Sequence, residues 1–414
     1  RESLMKFMIV NAFGRSNRGD SVLLDECIAE IRAKFPDAEI AGAVFEGIDA
    51  ARAVHPTVAW SERIGNAGGG AVGRLKSLVY LFASWFSAWL PFLGAFLPAK
   101  QRQTLDAIRA SDVVISAPGG YIHDTNFAYF IALLHIHLGT IMGKIVILAP
   151  QSVGPIERPL SRAVARYVLG KVPFLCARES YSWDFLAHDL KLPEKNVYRT
   201  GDSAFWNSHV EDNPDLIDGV YESLGVARDA PIFGMTVVKW SFPKSKEPAV
   251  MLGRYTDAVA RAADHMAEKY GLTPVIFNQV SEDLPASLEV QRKAKCKVIV
   301  DQTSREPDVL RAMIARSKVF LGTRFHSCIF SMMAGRPTFA IAYLPKTEYI
   351  MNDLKLSHRH TPIDKINYDY LIKTISQDYE NLSQAEAEIQ NAVKVYQTEF
   401  TRLQDILGLI GTRR

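Results

Sequence analysis

The chain has 414 residues, which is long enough for two domains of ~100–200 residues each. Its composition, 48% hydrophobic and 22% charged, excludes a largely disordered or low-complexity protein. The 48 basic residues exceed the 45 acidic ones by only +3, which argues against a protein that binds nucleic acid along a basic face. The four cysteines form no CxxC pair, so they favour a reducing compartment over a disulfide framework or a zinc site: Cys27, Cys176, Cys296 and Cys328.

The first half of the sequence predicts strands that alternate with helices, which is typical of a parallel sheet covered on both faces. The predicted strands are residues 6–11, 38–45, 112–117, 144–150, 174–177 and 197–200. The predicted helices are residues 20–34, 126–142, 161–169 and 180–188. We therefore expect an N-terminal Rossmann-like domain over residues 5–206. Its first apolar run, residues 7–10, is too short for a secretory signal, and we expect a cytoplasmic protein.

One segment of this half, residues 77–99, has no charged side chain over 23 positions and is long enough to span a bilayer. A membrane span is disfavoured, because the strands before and after the segment are predicted to belong to one sheet. A helical wheel gives the segment two faces. Small or polar residues lie on one side: Ser77, Tyr80, Ser84, Ser87, Pro91 and Gly94. Large apolar residues lie on the other: Leu78, Phe82, Trp85, Phe86, Trp89, Leu93 and Phe96.

Basic residues flank the uncharged segment: Arg74, Lys76, Lys100 and Arg102. Large aromatic residues with basic flanks suit a helix, or two helices broken at Pro91, that lies in the headgroup region of a membrane. We therefore expect a membrane-surface insertion over about residues 70–102. Its predicted membrane contacts are Phe82, Trp85, Phe86, Trp89 and Phe96. A buried helix or a dimer-forming surface is the alternative, so a homo-oligomer stays open.

The second half of the sequence repeats the alternation after an acidic break at residues 207–229. The predicted strands are residues 232–238, 274–278, 297–300, 319–322 and 338–342. The predicted helices are residues 249–270, 285–293, 308–315 and 326–333, followed by a helical tail. We expect an α/β protein with two doubly wound Rossmann-like domains, the second over residues 230–360, that face each other across a cleft. The helices of residues 361–414 are expected to pack back on the N-terminal domain.

Polar motifs follow several strands of the first domain, at the edge where ligands of such sheets bind. The first is the loop from Gly14 to Asp20, which contains Asn17 and opens a helix whose N-terminus favours anions. Gly119-Gly120 with His123 and Asp124 follow a later strand, and Arg178 follows another. Each motif also has a structural interpretation: Asp20 as a helix cap, the glycines as a tight turn, and Arg178 as the partner of Glu179.

The strongest motif of the second domain is Gly322-Thr323-Arg324-Phe325-His326-Ser327, between a strand and a helix. An arginine there offers bidentate contacts to a carboxylate or phosphate, and a histidine can move a proton near pH 7. Lys346 and Lys239 follow neighbouring strands and are candidate anion contacts, with solvated lysines as the alternative. No HExxH, P-loop or DxD motif is present, so no metal ion is expected.

Taken in order, the motifs resemble the polysaccharide pyruvyl transferase family over residues 6 to about 350. The motifs are Asn17-Arg18-Gly19-Asp20, Gly119-Gly120 with Asp124, Pro150-Gln151-Ser152-Val153-Gly154-Pro155, Ala177-Arg178-Glu179-Ser180, Gly201-Asp202, and residues 322–327 with Gly335-Arg336-Pro337. The resemblance implies a fold like that of two-domain (GT-B) glycosyltransferases. It also implies transfer of a pyruvyl group from phosphoenolpyruvate to a sugar, as a cyclic ketal, with release of phosphate. The family's glycine triplet is Pro118-Gly119-Gly120 here.

The resemblance also implies roles for the candidate residues, with phosphoenolpyruvate as a donor substrate and no further cofactor. His326 is the expected general acid and Arg324 its catalytic neighbour. The expected donor-binding residues are Arg178, Arg324, Ser327, Lys346 and Lys239. The expected acceptor-binding residues are Asn17, Asp20, His123 and Asp124, so that the first domain binds the sugar.

Two other functions stay open from the sequence. One is a GT-B glycosyltransferase that uses a nucleotide sugar, and the other is a non-catalytic glycan-binding protein at the membrane surface. The uncharged segment makes a polyprenyl-linked acceptor attractive. We then expect a cytoplasmic protein that is peripheral on the inner face of the cell membrane and binds no nucleic acid.

Overall fold

A computed structural model of the chain describes residues 4–14 and 18–410. These residues form two compact units. The first unit comprises the described residues up to Trp206 and those from Phe400 onward, and the second is Asn207–Glu399. The second unit begins at Asn207, before the residue 230 at which the sequence predicts a second domain.

The first unit contains eight strands and seven helices before residue 206, among the residues described. The strands are β1 (Lys6–Ala12), β2 (Glu39–Val44), β3 (Ala59–Glu62), β4 (Val113–Ser116), β5 (Gly119–Ile122), β6 (Ile145–Val153), β7 (Phe174–Ala177) and β8 (Val197–Arg199). The helices are α1 (Arg18–Lys34), α2 (Ile48–Val54), α3 (Gly70–Phe86), α4 (Ala99–Ala110), α5 (Ala128–Ile141), α6 (Pro159–Leu169) and α7 (Ser180–Asp184). A 3₁₀ turn, Pro91–Phe96, lies between α3 and α4.

The first sheet is entirely parallel, with the strand order β3-β2-β1-β4-β6-β7-β8 and with β5 paired to β6. Successive side chains of β1 are buried on opposite faces of the sheet, as the two-residue period of a strand requires. Phe7 and Ile9 enter one core with α1, while Met8 and Val10 enter the other core with α5. Because both faces are buried, the strands read as continuous apolar runs.

Polar side chains fix the loop that follows β3 and leads to the uncharged segment. His135 of α5 is fully buried, donates from Nδ1 to the Ile131 carbonyl at 2.8 Å, and accepts from the Ile64 N–H at 3.2 Å. Gln101 of α4 accepts from the Gly65 N–H at 3.0 Å. Burial lowers the pKa of His135 to about 4, so the ring is neutral in the folded protein.

Acidification is expected to weaken the fold through His135. The unfolded chain takes up this proton below about pH 6.5, whereas the buried ring resists it until about pH 4. The stability that the neutral His135 contributes to the fold is therefore fully present above about pH 6.5 and is lost as the pH falls. We expect this residue to lower the free energy of unfolding by about 2 kcal/mol between pH 7 and pH 5. The measurement is the free energy of unfolding against pH for the parent and for His135→Gln. The free energy should fall less steeply on acidification in the variant, and equal slopes would contradict the role of His135.

The second unit contains six strands and eight helices. The strands are β9 (Ile232–Met235), β10 (Thr273–Ile276), β11 (Ile299–Val300), β12 (Ser317–Gly322), β13 (Thr338–Ala342) and β14 (His360–Pro362). The helices are α8 (Pro214–Ser223), α9 (Pro248–Tyr270), α10 (Leu284–Lys293), α11 (Pro307–Ala315), α12 (Phe325–Met333), α13 (Pro345–Asp353), α14 (Tyr368–Glu380) and α15 (Leu382–Glu399). Helix α9 has the usual residues at both of its ends. Pro248 is its first residue, and Gly271 caps its C-terminus with a φ of 68°.

The second sheet is also entirely parallel, in the order β11-β10-β9-β12-β13-β14. Its core is formed by inward residues of the central strands together with α9 and α14, for example Phe233, Val259 and Ile375. Two parallel sheets, each wound with helices, give the α/β doubly wound fold class that the sequence predicts.

The C-terminal helices differ from the prediction that residues 361–414 pack back on the first domain. Helices α14 and α15 belong to the second unit, where the buried Arg359 is paired with Asp378 at 2.6 Å and also with Glu388. The chain rejoins the first unit only at Phe400. The amphipathic pattern of a helix shows that one face is buried, but it does not show which neighbour covers that face.

The return to the first unit is made by the short helix α16 (Leu403–Gly408), which packs on α1. Leu403, Ile406 and Leu407 are buried in the same core as β1. The Arg402 guanidinium contacts the carboxylates of Glu30 at 3.1 Å and Glu26 at 3.3 Å. Burial, followed by the nearby Glu26, raises the pKa of Glu30 to about 7.

Candidate active site

The candidate site of the second unit lies where the winding of its sheet reverses. Strands β9 and β12 are neighbours, but the chain continues from β9 to β10 on one side and from β12 to β13 on the other. Ligands of open α/β sheets bind at such a switch point, beyond the carboxyl ends of the strands. Thr236 directly follows β9 and Thr323 directly follows β12, so the predicted motif of residues 322–327 lies at this switch point.

Buried hydroxyl groups hold the motif in place. The Thr236 Oγ1 accepts from the backbone N–H groups of Thr323 at 3.1 Å and Arg324 at 3.3 Å. The Ser327 Oγ lies 2.7 Å from the Thr236 Oγ1 and donates to the Arg324 carbonyl at 2.6 Å. The Tyr255 Oη donates to the Thr323 Oγ1 at 2.8 Å. Ser327 is fully buried in this network, so the structure supports a role in positioning the loop rather than the predicted contact with the donor.

The Arg324 guanidinium makes a bidentate contact with Asp283. Its Nε lies 2.5 Å from the Asp283 Oδ2, and its Nη2 lies 2.8 Å from the Oδ1. The same carboxylate accepts from the Lys239 N–H at 2.9 Å. Burial lowers the pKa of Arg324, but Asp283 and Tyr343 outweigh that effect and leave it above its usual value. The guanidinium is therefore charged and fixed in orientation, and Asp283 takes up part of its hydrogen-bonding capacity.

His326 lies in the first turn of α12 and is 4% exposed. Its ring is packed among aromatic side chains, with the Phe325 ring centroid at 5.0 Å and the Phe330 centroid at 6.4 Å. This packing limits the ring to few orientations. A histidine held in few orientations suits proton transfer, because that step depends on the geometry of the acid or base.

Lysines and further aromatic residues border Arg324 and His326. The Lys346 Nζ, in the first turn of α13, lies 5.0 Å from the centroid of the Phe325 ring. Lys239 is exposed in the loop after β9, and its backbone N–H and the Arg324 guanidinium both contact the Asp283 carboxylate. The second unit therefore brings five of the predicted residues to one edge of its sheet: Lys239, Arg324, His326, Ser327 and Lys346.

Arg178 of the first unit is 1% exposed, which corrects the prediction that it touches the donor. Its guanidinium contacts Glu179 at 3.4 Å and Asp202 at 3.3 Å, and its Nη2 donates to the Ser152 Oγ at 2.5 Å. These partners follow or end three adjacent strands, β6, β7 and β8. Arg178 therefore joins the strand ends from inside, where the carboxylates of Glu179 and Asp202 already balance its charge.

The neighbours of Arg178 complete this buried network. The Glu179 carboxylate accepts from the Ser152 Oγ at 2.8 Å and also from Ser182. Burial, only partly opposed by Arg178, raises the pKa of Glu179. A Cβ at Gly120 would lie 3.3 Å from the Arg178 Nη2. The second glycine of the predicted pair therefore lets β5 approach Arg178.

The predicted acceptor residues differ in accessibility. Asp124 is 8% exposed, and its carboxylate accepts from the backbone N–H groups of Glu157 at 3.1 Å and Arg158 at 2.8 Å. Burial raises its pKa, but these bonds outweigh burial and leave the pKa below the usual value. Asp124 thus anchors the loop before α6, which corrects the expectation of a free sugar contact.

Asp20 and His123 keep partial exposure. Asp20 lies in the first turn of α1, and the His123 Nδ1 lies 2.7 Å from the Thr125 Oγ1. Asn17, the remaining predicted acceptor residue, lies outside the described residues. Of the four predicted acceptor residues, Asp20 and His123 are thus the ones with accessible side chains among residues 4–14 and 18–410.

Metal coordination would need a cluster of ligands in the described part of the chain, and cysteine chemistry would need a reactive thiol. No group of three His, Cys, Asp or Glu side chains there could hold a metal ion. All four cysteines are free thiols. Burial raises the pKa of Cys328, next to the candidate site, to about 12, so this thiol is uncharged and a poor nucleophile at neutral pH.

The order of the motifs agrees with a comparison across a whole family. The family model described as Polysaccharide pyruvyl transferase matches residues 17–345, which is most of the chain. The chain belongs to the polysaccharide pyruvyl transferase family. The protein is therefore a transferase of polysaccharide biosynthesis. The amylovoran biosynthesis protein AmsJ of Erwinia amylovora is 22% identical to it over 337 residues, which cover 77% of this chain and 78% of AmsJ.

Solved structures with the same fold are distant in sequence. Anabaena Alr3699/HepE in complex with UDP and glucose matches 99% of this pyruvyl transferase and 100% of its own chain, with a TM-score of 0.61 and 13% identity. A glycosyltransferase from Rickettsia africae ESF-5 covers 99% and 98%, with a TM-score of 0.60 and 10% identity. A putative UDP-N-acetylglucosamine 2-epimerase from Listeria monocytogenes covers 94% and 91%, with a TM-score of 0.60 and 11% identity. At these identities the similarity shows the GT-B-like fold alone.

The uncharged segment of the pyruvyl transferase forms α3, the 3₁₀ turn and the start of α4. No helix among residues 4–14 and 18–410 is long and apolar enough to cross a membrane. The predicted division into two faces holds for Ser84, Ser87 and Gly94, which are buried, and for Phe82, which is 60% exposed, but not for Pro91, which is exposed. Phe86, Trp89 and Phe96 are also exposed, whereas Trp85 is half-buried against the rings of Phe86 and Trp89. Because the apolar face of α3 is exposed in the single chain, the chain itself does not bury this helix, which was one alternative that the sequence left open.

Three residues of the site in the second unit were missed by sequence reasoning: Thr236, Tyr255 and Tyr343. The Arg324 guanidinium carbon lies 5.8 Å from the centroid of the Tyr343 ring, and that ring contacts Trp240 at 5.1 Å. The position of Thr236 directly after a strand is a usable signal. Tyr255 lies in the middle of α9 with no motif around it, so only the folded structure reveals its contact with Thr323.

Proposed function

We propose that this transferase moves a pyruvyl group from phosphoenolpyruvate to two hydroxyl groups of one sugar in a glycan. The products are a cyclic ketal on the sugar and inorganic phosphate. The observation that carries the proposal is the cationic cluster at the switch point of the second sheet, which contains Arg324, His326 and Lys346. The donor suits such a cluster because it bears a phosphate and a carboxylate on three carbons.

Arg324 and Lys346 are proposed to bind the two anionic groups of the donor. The contact with Asp283 and a hydrogen bond to Tyr343 hold the Arg324 guanidinium in a fixed direction. Lys346 supplies a more flexible point charge, and Lys239 is a further candidate on the exposed side. The aromatic rings of Phe325 and Tyr343 lower the local dielectric constant, which strengthens these attractions.

His326 is the proposed general acid. A proton from the imidazole adds to C3 of phosphoenolpyruvate, and a sugar hydroxyl attacks C2, so that the double bond becomes a methyl group and a C–O bond. The imidazole then recovers a proton from the attacking hydroxyl. Its fixed ring fits this task, because proton transfer depends on the orientation of the acid.

Departure of phosphate completes the transfer. The C2–O bond to phosphate breaks, the second hydroxyl attacks C2, and its proton leaves with the phosphate. The backbone N–H groups at the start of α12 favour a negative charge there, which supports phosphate as the leaving group. In this proposal Arg178 acts as a positioning residue of the first unit.

The acceptor is proposed to bind to the first unit, near Asp20 and His123. A polyprenyl-linked sugar is the acceptor that fits the exposed apolar surface of α3, since such a sugar is presented at a membrane. The protein would then be peripheral on the inner face of the cell membrane.

The decisive experiment supplies purified full-length protein with phosphoenolpyruvate and a panel of water-soluble and polyprenyl-linked sugars. We expect phosphate release together with the mass gain of one pyruvyl ketal on one acceptor. UDP-glucose replaces phosphoenolpyruvate in a parallel reaction, because a glycosyltransferase would release UDP and extend the acceptor. Phosphate release without a change in any sugar, or transfer from the nucleotide sugar, would contradict the proposal.

A further inference from the structure

Helix α3 is built with its small side chains inward. Gly73, Ser84 and Ser87 are buried, and a Cβ at Gly73 would lie 2.3 Å from the Gly68 carbonyl oxygen. The serine hydroxyls donate to carbonyls of their own chain, Ser84 to Leu81 at 2.8 Å and Ser87 to Ser84 at 2.6 Å. Because these hydroxyls are satisfied locally, a polar face can be buried against the first unit at little cost.

The opposite face of α3 and the following 3₁₀ turn expose large apolar side chains. Among the described residues, 21 large apolar side chains are exposed, and ten of them lie within residues 72–96. The ten are Val72, Leu75, Leu78, Val79, Phe82, Phe86, Trp89, Leu90, Phe92 and Phe96. A contiguous surface of this kind marks an interaction site rather than ordinary surface composition.

The charged residues in the sequence around this surface all have one sign. Residues 63–105 contain five basic residues and no aspartate or glutamate. Arg74, Lys76, Lys100 and Arg102 are exposed beside the apolar residues. The Arg102 Nη2 also donates to the carbonyls of Ala95 at 3.3 Å and Leu97 at 3.2 Å, so it fixes the 3₁₀ turn against α4.

We infer that the α3 surface, defined as the exposed apolar residues of 72–96 with their basic neighbours, docks on a bilayer that contains anionic lipid. Apolar side chains enter the acyl boundary while the basic residues contact headgroup phosphates. A second copy of the chain is a poorer occupant, because a two-fold interface would bring these basic residues against their own copies. The inference rests on the proposed function in one respect: docking brings the protein to the membrane that holds the proposed polyprenyl-linked acceptor.

The test uses full-length protein and sedimentation with vesicles of phosphatidylcholine alone or with roughly 30% phosphatidylglycerol. We expect binding to the anionic vesicles that weakens as salt is added. The triple variant Phe82→Ser, Phe92→Ser, Phe96→Ser should lose at least about 100-fold in vesicle affinity. The variant Arg74→Gln with Lys76→Gln should lose about tenfold or more, and mainly for anionic vesicles.

Matched controls come from exposed residues elsewhere. Leu160→Ser with Leu216→Ser and Val250→Ser removes exposed apolar side chains outside the α3 surface, and Lys297→Gln with Lys318→Gln removes exposed charges outside it. Both control variants should bind vesicles as the parent does. Thermal unfolding of every variant verifies that it is folded.

Two outcomes would overturn the inference. One is a parent protein that does not sediment with anionic vesicles. The other is a parent dimer that the phenylalanine variants convert to monomer, which would assign the surface to a second copy. Phosphate release with a water-soluble acceptor is measured in parallel. Activity without vesicle binding would contradict only the docking, whereas vesicle binding without any transfer would contradict only the proposed reaction.

Discussion

Replacement of His326 by alanine is expected to lower the turnover number by about 100-fold or more, because the variant has no group to protonate C3 of the donor. The measurement is phosphate release from phosphoenolpyruvate in the presence of the identified acceptor. The affinity for phosphoenolpyruvate should change much less, since Arg324 and Lys346 keep their charges. A turnover number near that of the parent would remove His326 from the mechanism.

Because His326 is buried, the alanine variant also needs a control for folding. Its ring packs against Phe325 and Phe330, so its removal leaves a cavity and is expected to lower the unfolding temperature moderately. His326→Gln fills more of that space and still lacks the acid, so it should be as inactive as the alanine variant. His358→Ala removes an exposed histidine of the same unit that is paired with Glu388, and it should keep the activity.

Replacement of Arg178 by methionine is expected to lower the free energy of unfolding of the first unit by about 3–5 kcal/mol. Methionine fills most of the volume but leaves Glu179 and Asp202 buried without this cation. The measurement is denaturant unfolding followed by a probe in the first unit. Combining Arg178→Met with Glu179→Gln and Asp202→Asn should recover part of the loss, because the neutral amides need no counter-charge.

The pH dependence of this loss has a definite sign. Burial already raises the pKa of Glu179, and the loss of Arg178 raises it further above the unfolded value. A carboxyl group with a raised pKa destabilises the fold increasingly as the pH rises above the unfolded value. The difference between the parent and Arg178→Met should therefore be larger at about pH 7.5 than at about pH 5.5. A difference that grows on acidification would contradict the role of Arg178 as counter-charge.

Most of the two sheets could be predicted from the sequence, because buried parallel strands are short apolar runs between helices. The strands 174–177 and 338–342 have the predicted bounds. Three short strands were missed: β3, β5 and β14. Strand β5 contains Gly119-Gly120, which local propensity assigns to a turn, and only its pairing with β6 makes it a strand. Helix α8 lies in the acidic break, where Asn213 caps it and Pro214 opens it.

The sequence placed the candidate residues at strand ends, but it did not show their partners. The rule that ligands bind beyond strand ends selected Arg324, His326 and Lys346, which the structure places at one edge of the second sheet. The same rule selected Arg178 and Asp124, whose partners are buried carboxylates in one case and backbone N–H groups in the other. A sequence shows which residue types follow a strand, but it does not show whether the rest of the fold already occupies their hydrogen bonds.

The late return of the chain at Phe400 makes the first unit discontinuous, with the second unit inserted into it. Leu403, Ile406, Leu407 and Ile410 belong to the same core as Phe7 and Ile9. During synthesis this core stays open until the residues after Phe400 have been made, although domains that are made first generally fold first. The second unit is contiguous and can close earlier. We therefore expect the second unit to complete its core before the first unit does, although the first unit begins earlier in the sequence.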